Sequence, residues 1–411
     1  MLSVPKGLFA TILSLSFMLA PPAEARHSDY RLRLGANRGS KRTQARHKKS
    51  TRVVASARKN SKAKAVMQPQ IGALLINESG EVLLDQLSDI EFNPASVTKL
   101  VTAYGAIKVF GLQHCFRTRI LTDGELDEKS GVLNGNLYIQ GSDPDFERED
   151  ALNLKTRLNE AGIKTVKGKL FVSRDFSYAS TPNSAYAANA LLGICKQPVK
   201  PIKFLQGCAV AEAPASTTQL GDYESESLKE TLKEMLSYSE NNVAEQIGKV
   251  AGGVKKIEQL VAEASGLQPG SLKLASASGL GKSRVKPKDM MLVLKALRQE
   301  MQDNGLDLQD ICPLAGIDPG TLDERFTGPD ERGSVVGKTG TLPGTDGGTS
   351  ALAGMFRSKT DTVYFVIFCW RGNVPSFRRQ QDELIRRYQA ERGGALPFTG
   401  GYQDDLADSG V

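Results

Sequence analysis

Three short groups of side chains in this sequence can do chemistry together, and none of them needs a histidine. The first is Ser96-Val97-Thr98-Lys99, at the opening of a stretch where Val97, Leu100, Val101, Tyr104 and Ile107 recur at helical spacing. Residues three apart on a helix share a face. A serine at a helix N-terminus sits where the dipole and the free N–H groups favour developing negative charge. A lysine one turn on can take its proton if its surroundings lower the lysine pKa. Ser96 is the candidate nucleophile and Lys99 the candidate base. Alone the pattern is weak: Ser3/Lys6, Ser56/Lys59, Ser61/Lys64 and Ser283/Lys286 repeat it, and a helix cap with an exposed lysine would read the same.

The second group is Ser239-Glu240-Asn241, the only S-x-N in the chain, between two expected helices. The Ser239 hydroxyl can relay a proton to a leaving group, and the Asn241 amide can hydrogen-bond a substrate carbonyl. A serine or Asx turn would also account for it. The third is Lys338-Thr339-Gly340, the only K-T-G, at the end of an apolar strand and followed by Thr341. Gly340 would let a substrate backbone approach closely. Lys338 and the hydroxyls of Thr339 and Thr341 suit a carboxylate, and the Thr341 N–H could join that of Ser96 as an oxyanion hole. Singly this is an ordinary strand-end turn. It is the three groups in order, each in a fitting local setting, that point to acyl transfer.

The elements that must position these groups follow from periodicity. Ile71–Ile76, the turn Asn77-Glu78-Ser79-Gly80 and Val82–Leu84 predict a hairpin. Helices are expected over about 96–109, 150–162, 226–236, 242–250, 254–265, 287–302 and 376–390, and strands at 137–139, 169–172, 334–338, 350–357 and 362–370. Residues 181–221, rich in Ala, Pro and Thr, give no clear assignment. Strands at both ends with helices between predict an antiparallel sheet built from both ends of the folded part.

Composition narrows the chemistry further. The chain has 411 residues and a net charge of +7. Residues 26–65 hold 14 Lys/Arg against one acid, Asp29, a net +13; residues 66–411 hold 38 basic and 44 acidic residues, a net −6. A basic leader precedes a mildly acidic folded part, so the net charge does not argue for a nucleic-acid binder. The histidines are His27, His47 and His114, which leaves a Ser-His-Asp enzyme dependent on His114 alone. With no C-x-x-C among Cys115, Cys195, Cys208, Cys312 and Cys369, no metal and no cofactor are expected. Cys195 and Cys208 could close a short loop in an oxidising compartment, and Cys369 is expected as a buried thiol.

Lys6, the apolar run Gly7–Leu19 and Ala23-Glu24-Ala25 read as a signal peptide over residues 1–25, so an exported, periplasmic or extracytoplasmic protein is expected. Residues 26–66 read as a basic, disordered linker. It could attract an anionic envelope polymer or serve as a solvated spacer, and export argues against nucleic acid. Leu396-Pro397-Phe398-Thr399-Gly400 matches L-P-x-T-G, but a short acidic tail follows it, so wall anchoring is not expected.

With all three groups in hand, the chain resembles the active-site serine penicillin-binding proteins, and within them the D-alanyl-D-alanine carboxypeptidase/endopeptidase family of penicillin-binding protein 4 type. The stretches that carry the resemblance are Pro94–Leu100, Gly135–Gly141 with Asp143-Pro144, Gly162–Phe176, Ser278-Gly279-Leu280, Pro313–Asp318 and Gly337–Leu342. Together they span about residues 70–390.

The resemblance implies an α/β (α+β) fold: a β-lactamase/transpeptidase-like antiparallel sheet flanked by helices, with a reduced inserted domain. It implies a catalytic domain from 67–120 and 222–390, an insertion at 121–221 and a flexible tail at 391–411. Ser96 would form the acyl-enzyme, Lys99 act as base and Ser239 relay the proton, with Asn241, Lys338, Thr339, Gly340 and Thr341 binding substrate. The implied substrates are peptidoglycan stem peptides, with β-lactams as covalent inhibitors.

Two features depart from the family pattern. The 143-residue step from Ser96 to Ser239 is short for it, and Glu240 stands where Asp is commoner. The other readings are a β-lactamase, for which no deacylating Glu can be placed, and a non-catalytic peptidoglycan-binding protein.

Overall fold

The computed structural model describes residue 68 and residues 70–398. The expected signal peptide, the basic linker over 26–66 and residues 399–411 lie outside the described residues. The chain opens with β1 (Gln70–Asn77) and β2 (Val82–Gln86). The Asn77 side-chain oxygen accepts the Glu81 N–H at 2.8 Å and closes this hairpin. A 3-10 turn over Ala95–Val97 runs into α1 (Thr98–Phe110). There follow β3 (Cys115–Thr122), β4 (Glu125–Asp127), β5 (Val132–Asn134), β6 (Leu137–Gln140), α2 (Arg148–Glu160), β7 (Thr165–Val166) and β8 (Leu170–Val172). Next come α3 (Ser184–Cys195), β9 (Lys203–Phe204), β10 (Cys208–Val210) and β11 (Thr218–Ser227). The chain then forms α4 (Leu228–Tyr238), α5 (Asn241–Val250), α6 (Val254–Ala264) and α7 (Pro287–Asp303). It ends in β12 (Val335–Leu342), β13 (Thr349–Arg357), β14 (Thr362–Trp370) and α8 (Val374–Ala390).

The principal sheet runs β12-β13-β14-β1-β2 and is antiparallel throughout, so strands from both ends of the described chain are neighbours. On one face Leu74, Ala353 and Val366 pack with Leu100 of α1 and Leu294 of α7. On the other, Leu75, Leu352 and Phe365 pack with Phe377 and Ile385 of α8. Cover on both faces explains why β13 and β14 read as unbroken apolar runs rather than as alternating patterns. Helix α1 is buried from Thr98 to Ile107, as expected of a helix apolar on all sides. That burial carries Lys99 into the interior.

Residues 115–227 form a second body of structure with its own core, including Ile120, Ile139, Leu154, Leu170, Leu191 and Phe204. Its sheets run β10-β8-β6-β3-β11 and β4-β5-β7-β9, with parallel pairing of β6 with β8 and β8 with β10. The unassigned stretch 181–221 contains α3, capped by the Asn183 side chain on the Tyr186 N–H at 3.0 Å. It also holds the start of β11, whose polar residues mask its strand period until β3 pairs with it.

Two expectations need correction. The tail from 391 to 398 is not loose. Ala395 bridges Ser358, the Phe398 N–H donates to the Gly333 carbonyl at 2.8 Å, and the Phe398 ring is buried. An apolar side chain and two backbone groups find partners on the sheet edge, which outweighs the entropy of a free end. The possible Cys195–Cys208 loop is not closed either: all five cysteines are free thiols. Cys195 lies on the buried face of α3, where burial pushes its thiol up to about 12.

Candidate active site

Ser96 lies in the turn that starts α1, and an unusual backbone places it there. Ala95, immediately before it, holds φ 47°, a left-handed conformation that an alanine adopts only at a cost of about 1–3 kcal/mol. Asn93 secures this bend. Its side-chain oxygen accepts the Ala95 N–H at 3.0 Å, and its amide donates to the Gly281 carbonyl and to Asp346 Oδ2, both at 2.9 Å. Asp346 lies in the turn between β12 and β13 and is also held by Arg284 at 2.8 Å. Burial opposes charge on Asp346, but the bonds from Arg284 and Asn93 hold its carboxyl below the usual range.

Strand β12 passes directly over the nucleophile. A Cβ on Gly340 would fall 2.6 Å from the Pro94 carbonyl oxygen and 3.0 Å from the Ser96 nitrogen. Only a glycine lets the K-T-G backbone lie that close. Gly279 also approaches this turn closely: at φ 85°, its Cβ would meet the Ala95 oxygen at 1.9 Å.

Lys99 is fully buried, and its Nζ has three partners. They are Ser96 Oγ at 3.1 Å, Asn241 Oδ1 at 2.7 Å and the Ser278 carbonyl oxygen at 2.8 Å. Burial lowers its pKa from 10.5 to about 8, and the charges of Glu245 and Glu240 offset part of that drop. A neutral amine has two N–H groups and one lone pair. Asn241 and Ser278 supply two acceptors for the N–H groups, so the lone pair is left for the Ser96 hydroxyl proton. Once neutral, Lys99 can therefore face the Ser96 hydroxyl with its lone pair and act as a base.

Ser239 and Asn241 sit at the junction of α4 and α5. Ser239 ends α4 at φ 62°, and Asn241 begins α5. The left-handed turn permits the abrupt change of direction between the helices. Asn241 Oδ1 is engaged by Lys99, so its amide N–H groups are the ones left to donate elsewhere.

Lys338 differs from expectation. It is fully buried, and its Nζ donates to the Thr339 carbonyl at 3.0 Å. Burial, and then the nearby Lys99 charge, hold its pKa well below the usual lysine range. Two lysines in one desolvated pocket cannot both keep a full charge. Lys338 therefore presents no exposed ammonium to a carboxylate. Thr341 is partly exposed, and its Oγ1 accepts a hydrogen bond from Arg378 Nη2 at 3.0 Å.

Sequence reasoning missed Asn93, Asp346, Glu245 and Arg378, and it named Ser278 only within a stretch of family resemblance, without a role. Only Glu245 carried a usable signal: it follows Asn241 by four and so shares its helix face. Its carboxylate accepts the Ser278 N–H at 2.9 Å. Burial pushes this carboxyl upward, but hydrogen bonds from Ser278, Ser276 and Ala277 outweigh that and hold it below the usual range.

Solved structures share this architecture. Penicillin-binding protein 4 (dacB) from Haemophilus influenzae superposes at TM-score 0.64 and 21% identity, covering 77% of this chain and 96% of that one. Bd3459, a predatory peptidoglycan endopeptidase from Bdellovibrio bacteriovorus, superposes at TM-score 0.68 and 19% identity, covering 82% and 96%. The fold is thus that of the penicillin-binding protein 4 class. The sequence profile of the D-Ala-D-Ala carboxypeptidase 3 (S13) family matches residues 59–189 and 175–387, and the chain belongs to that family. It is 26% identical over 226 residues to the D-alanyl-D-alanine carboxypeptidase DacB of Haemophilus influenzae. That match covers 51% of this chain and 45% of the relative's length.

Proposed function

We propose that this chain is a serine D-Ala-D-Ala carboxypeptidase acting on peptidoglycan stem peptides through an acyl-enzyme on Ser96. The observation that carries the reading is the Lys99 amine, 3.1 Å from Ser96 Oγ with both its N–H groups matched to fixed acceptors. Neutral Lys99 takes the Ser96 proton as Oγ attacks the penultimate D-Ala carbonyl. The backbone N–H groups of Ser96 and Thr341 receive the oxyanion. The proton passes through Ser239 to the leaving nitrogen, free D-Ala departs, and water then releases the shortened peptide from Ser96. Cleavage of D-Ala cross-links between stems is the same chemistry on a larger leaving group. Residues 1–25 support export of the chain to the cell envelope, and the basic stretch 26–65 suits an anionic polymer there.

The test is an intact-mass measurement on residues 26–411 after incubation with penicillin, beside Ser96→Ala. One stable adduct, lost in the variant, is the expected result. Penicillin consumed without an adduct would instead indicate a β-lactamase. Intact penicillin and no adduct would indicate a binding protein.

A further inference from the structure

A peptidase that removes a C-terminal residue has to recognise a carboxylate, and the lysine expected to do so is buried. Lys338 is fully buried and turned onto the Thr339 carbonyl. A carboxylate gains most from a cation that can reach it with N–H groups. Arg284, beside the same hairpin, is held in its ion pair with Asp346.

Arg378 is placed differently. It is exposed, on the second turn of α8, and its Nη2 donates to Thr341 Oγ1 at 3.0 Å. Among the described residues no carboxylate lies within ion-pair distance of it, and Asp382, one turn along, is paired with Arg325. The first turn of α8 is firmly set. Asn373 caps it through the Ser376 N–H at 3.0 Å, and the buried Phe377 ring packs where a Cβ on Gly372 would sit 2.4 Å away. Arg378 is therefore presented at a defined place and not on a loose loop.

The covalent geometry of the substrate sets where its carboxylate falls. In a D-Ala-D-Ala end the carboxyl carbon is three bonds beyond the scissile carbonyl carbon, within about 4 Å of it. With that carbonyl against the Thr341 N–H, the carboxylate lies beside the Thr341 side chain, where the Arg378 guanidinium is already bound. We propose that Arg378 is the specificity-determining residue for the terminal carboxylate, binding it jointly with the Thr341 hydroxyl. This rests on the peptidase reading above. It assigns the charge to a residue outside the three motifs.

The test compares two thioesters of a blocked D-alanine, one of thioglycolate with a free carboxylate and one of methyl thioglycolate without it. Thiol release gives kcat/KM for each in the wild type, Arg378→Gln and Arg378→Lys. The wild type is expected to prefer the free acid, and Arg378→Gln to lower the acid-to-ester ratio at least about tenfold, since a hydrogen bond to a charged group is at stake. Arg378→Lys should retain part of the preference. A wild-type preference that survives in Arg378→Gln, or a penicillin-acylated wild type with no preference, overturns this inference alone. A wild type that turns over neither thioester and takes up no penicillin overturns the peptidase reading and this inference with it.

Discussion

Glu245 accepts the backbone N–H of Ser278 at 2.9 Å, and the carbonyl of that same Ser278 accepts a hydrogen bond from Lys99 Nζ at 2.8 Å. The carboxylate thus reaches the candidate base through one peptide residue and through its own charge. Glu245→Gln keeps the shape and removes the charge, so the Lys99 pKa should fall below about 8. The limb on which penicillin acylation rises should move to lower pH, with a reduced plateau. A limb that stays in place with only the plateau lowered would reduce Glu245 to scaffolding.

The pH profile of the wild type follows from the same lysine. Only neutral Lys99 can accept the Ser96 proton, so acylation should fall about tenfold per unit below pH 8 and level off above it. Stability carries a matching sign. The folded pKa of about 8 is below the value of 10.5 expected in the unfolded chain. Between those values the unfolded chain holds more protons, so stability rises with pH across that window. Denaturant titrations at several pH values should show this slope, and Lys99→Met should reduce it, leaving the share that comes from buried Lys338.

Asn93 and Asp346 are 253 positions apart, yet they share a hydrogen bond of 2.9 Å that ties the Ser96 turn to the β12–β13 hairpin. Asn93→Ala removes three hydrogen bonds from a buried site and should cost about 1–3 kcal/mol in unfolding experiments. Acylation should drop in both Asn93→Ala and Asp346→Ala. Because both act through one contact, the double variant should lose less than the sum of the singles. Strict additivity in that cycle would show that the two residues work independently.

Gly340→Ala tests the approach of β12 to the nucleophile. The added methyl would sit 2.6 Å from the Pro94 oxygen, so the strand must move away from Ser96. A displacement near 1 Å in such a site costs about a hundredfold in rate. The expected result is a folded protein, by circular dichroism, whose acylation falls by about that factor. Acylation at the wild-type rate would mean that β12 takes no part in positioning the reacting carbonyl.

Much of the fold was legible in the residues themselves. The periods of α1, α4 to α8 and the principal strands are local, because burial imposes them on neighbouring positions. The stretch 181–221 stayed opaque: α3 is rich in alanine on every side, and β11 becomes a strand only against β3. Residues 391–398 looked like a flexible tail because the partners that hold Ala395 and Phe398 are distant in sequence.

The candidate site divides in the same way. Sequence alone determined Ser96 and Lys99 on one helix face, Ser239 and Asn241 at a helix junction, and the K-T-G run at a strand end, since each group is contiguous and obeys a local rule. The tertiary structure decided that Lys338 is buried and that Asn93 meets Asp346. It decided likewise that Glu245 holds Ser278 and that Arg378 stands over Thr341. These contacts join segments tens to hundreds of residues apart. No local period encodes them, because they exist only once two layers of helices have closed over both faces of one sheet.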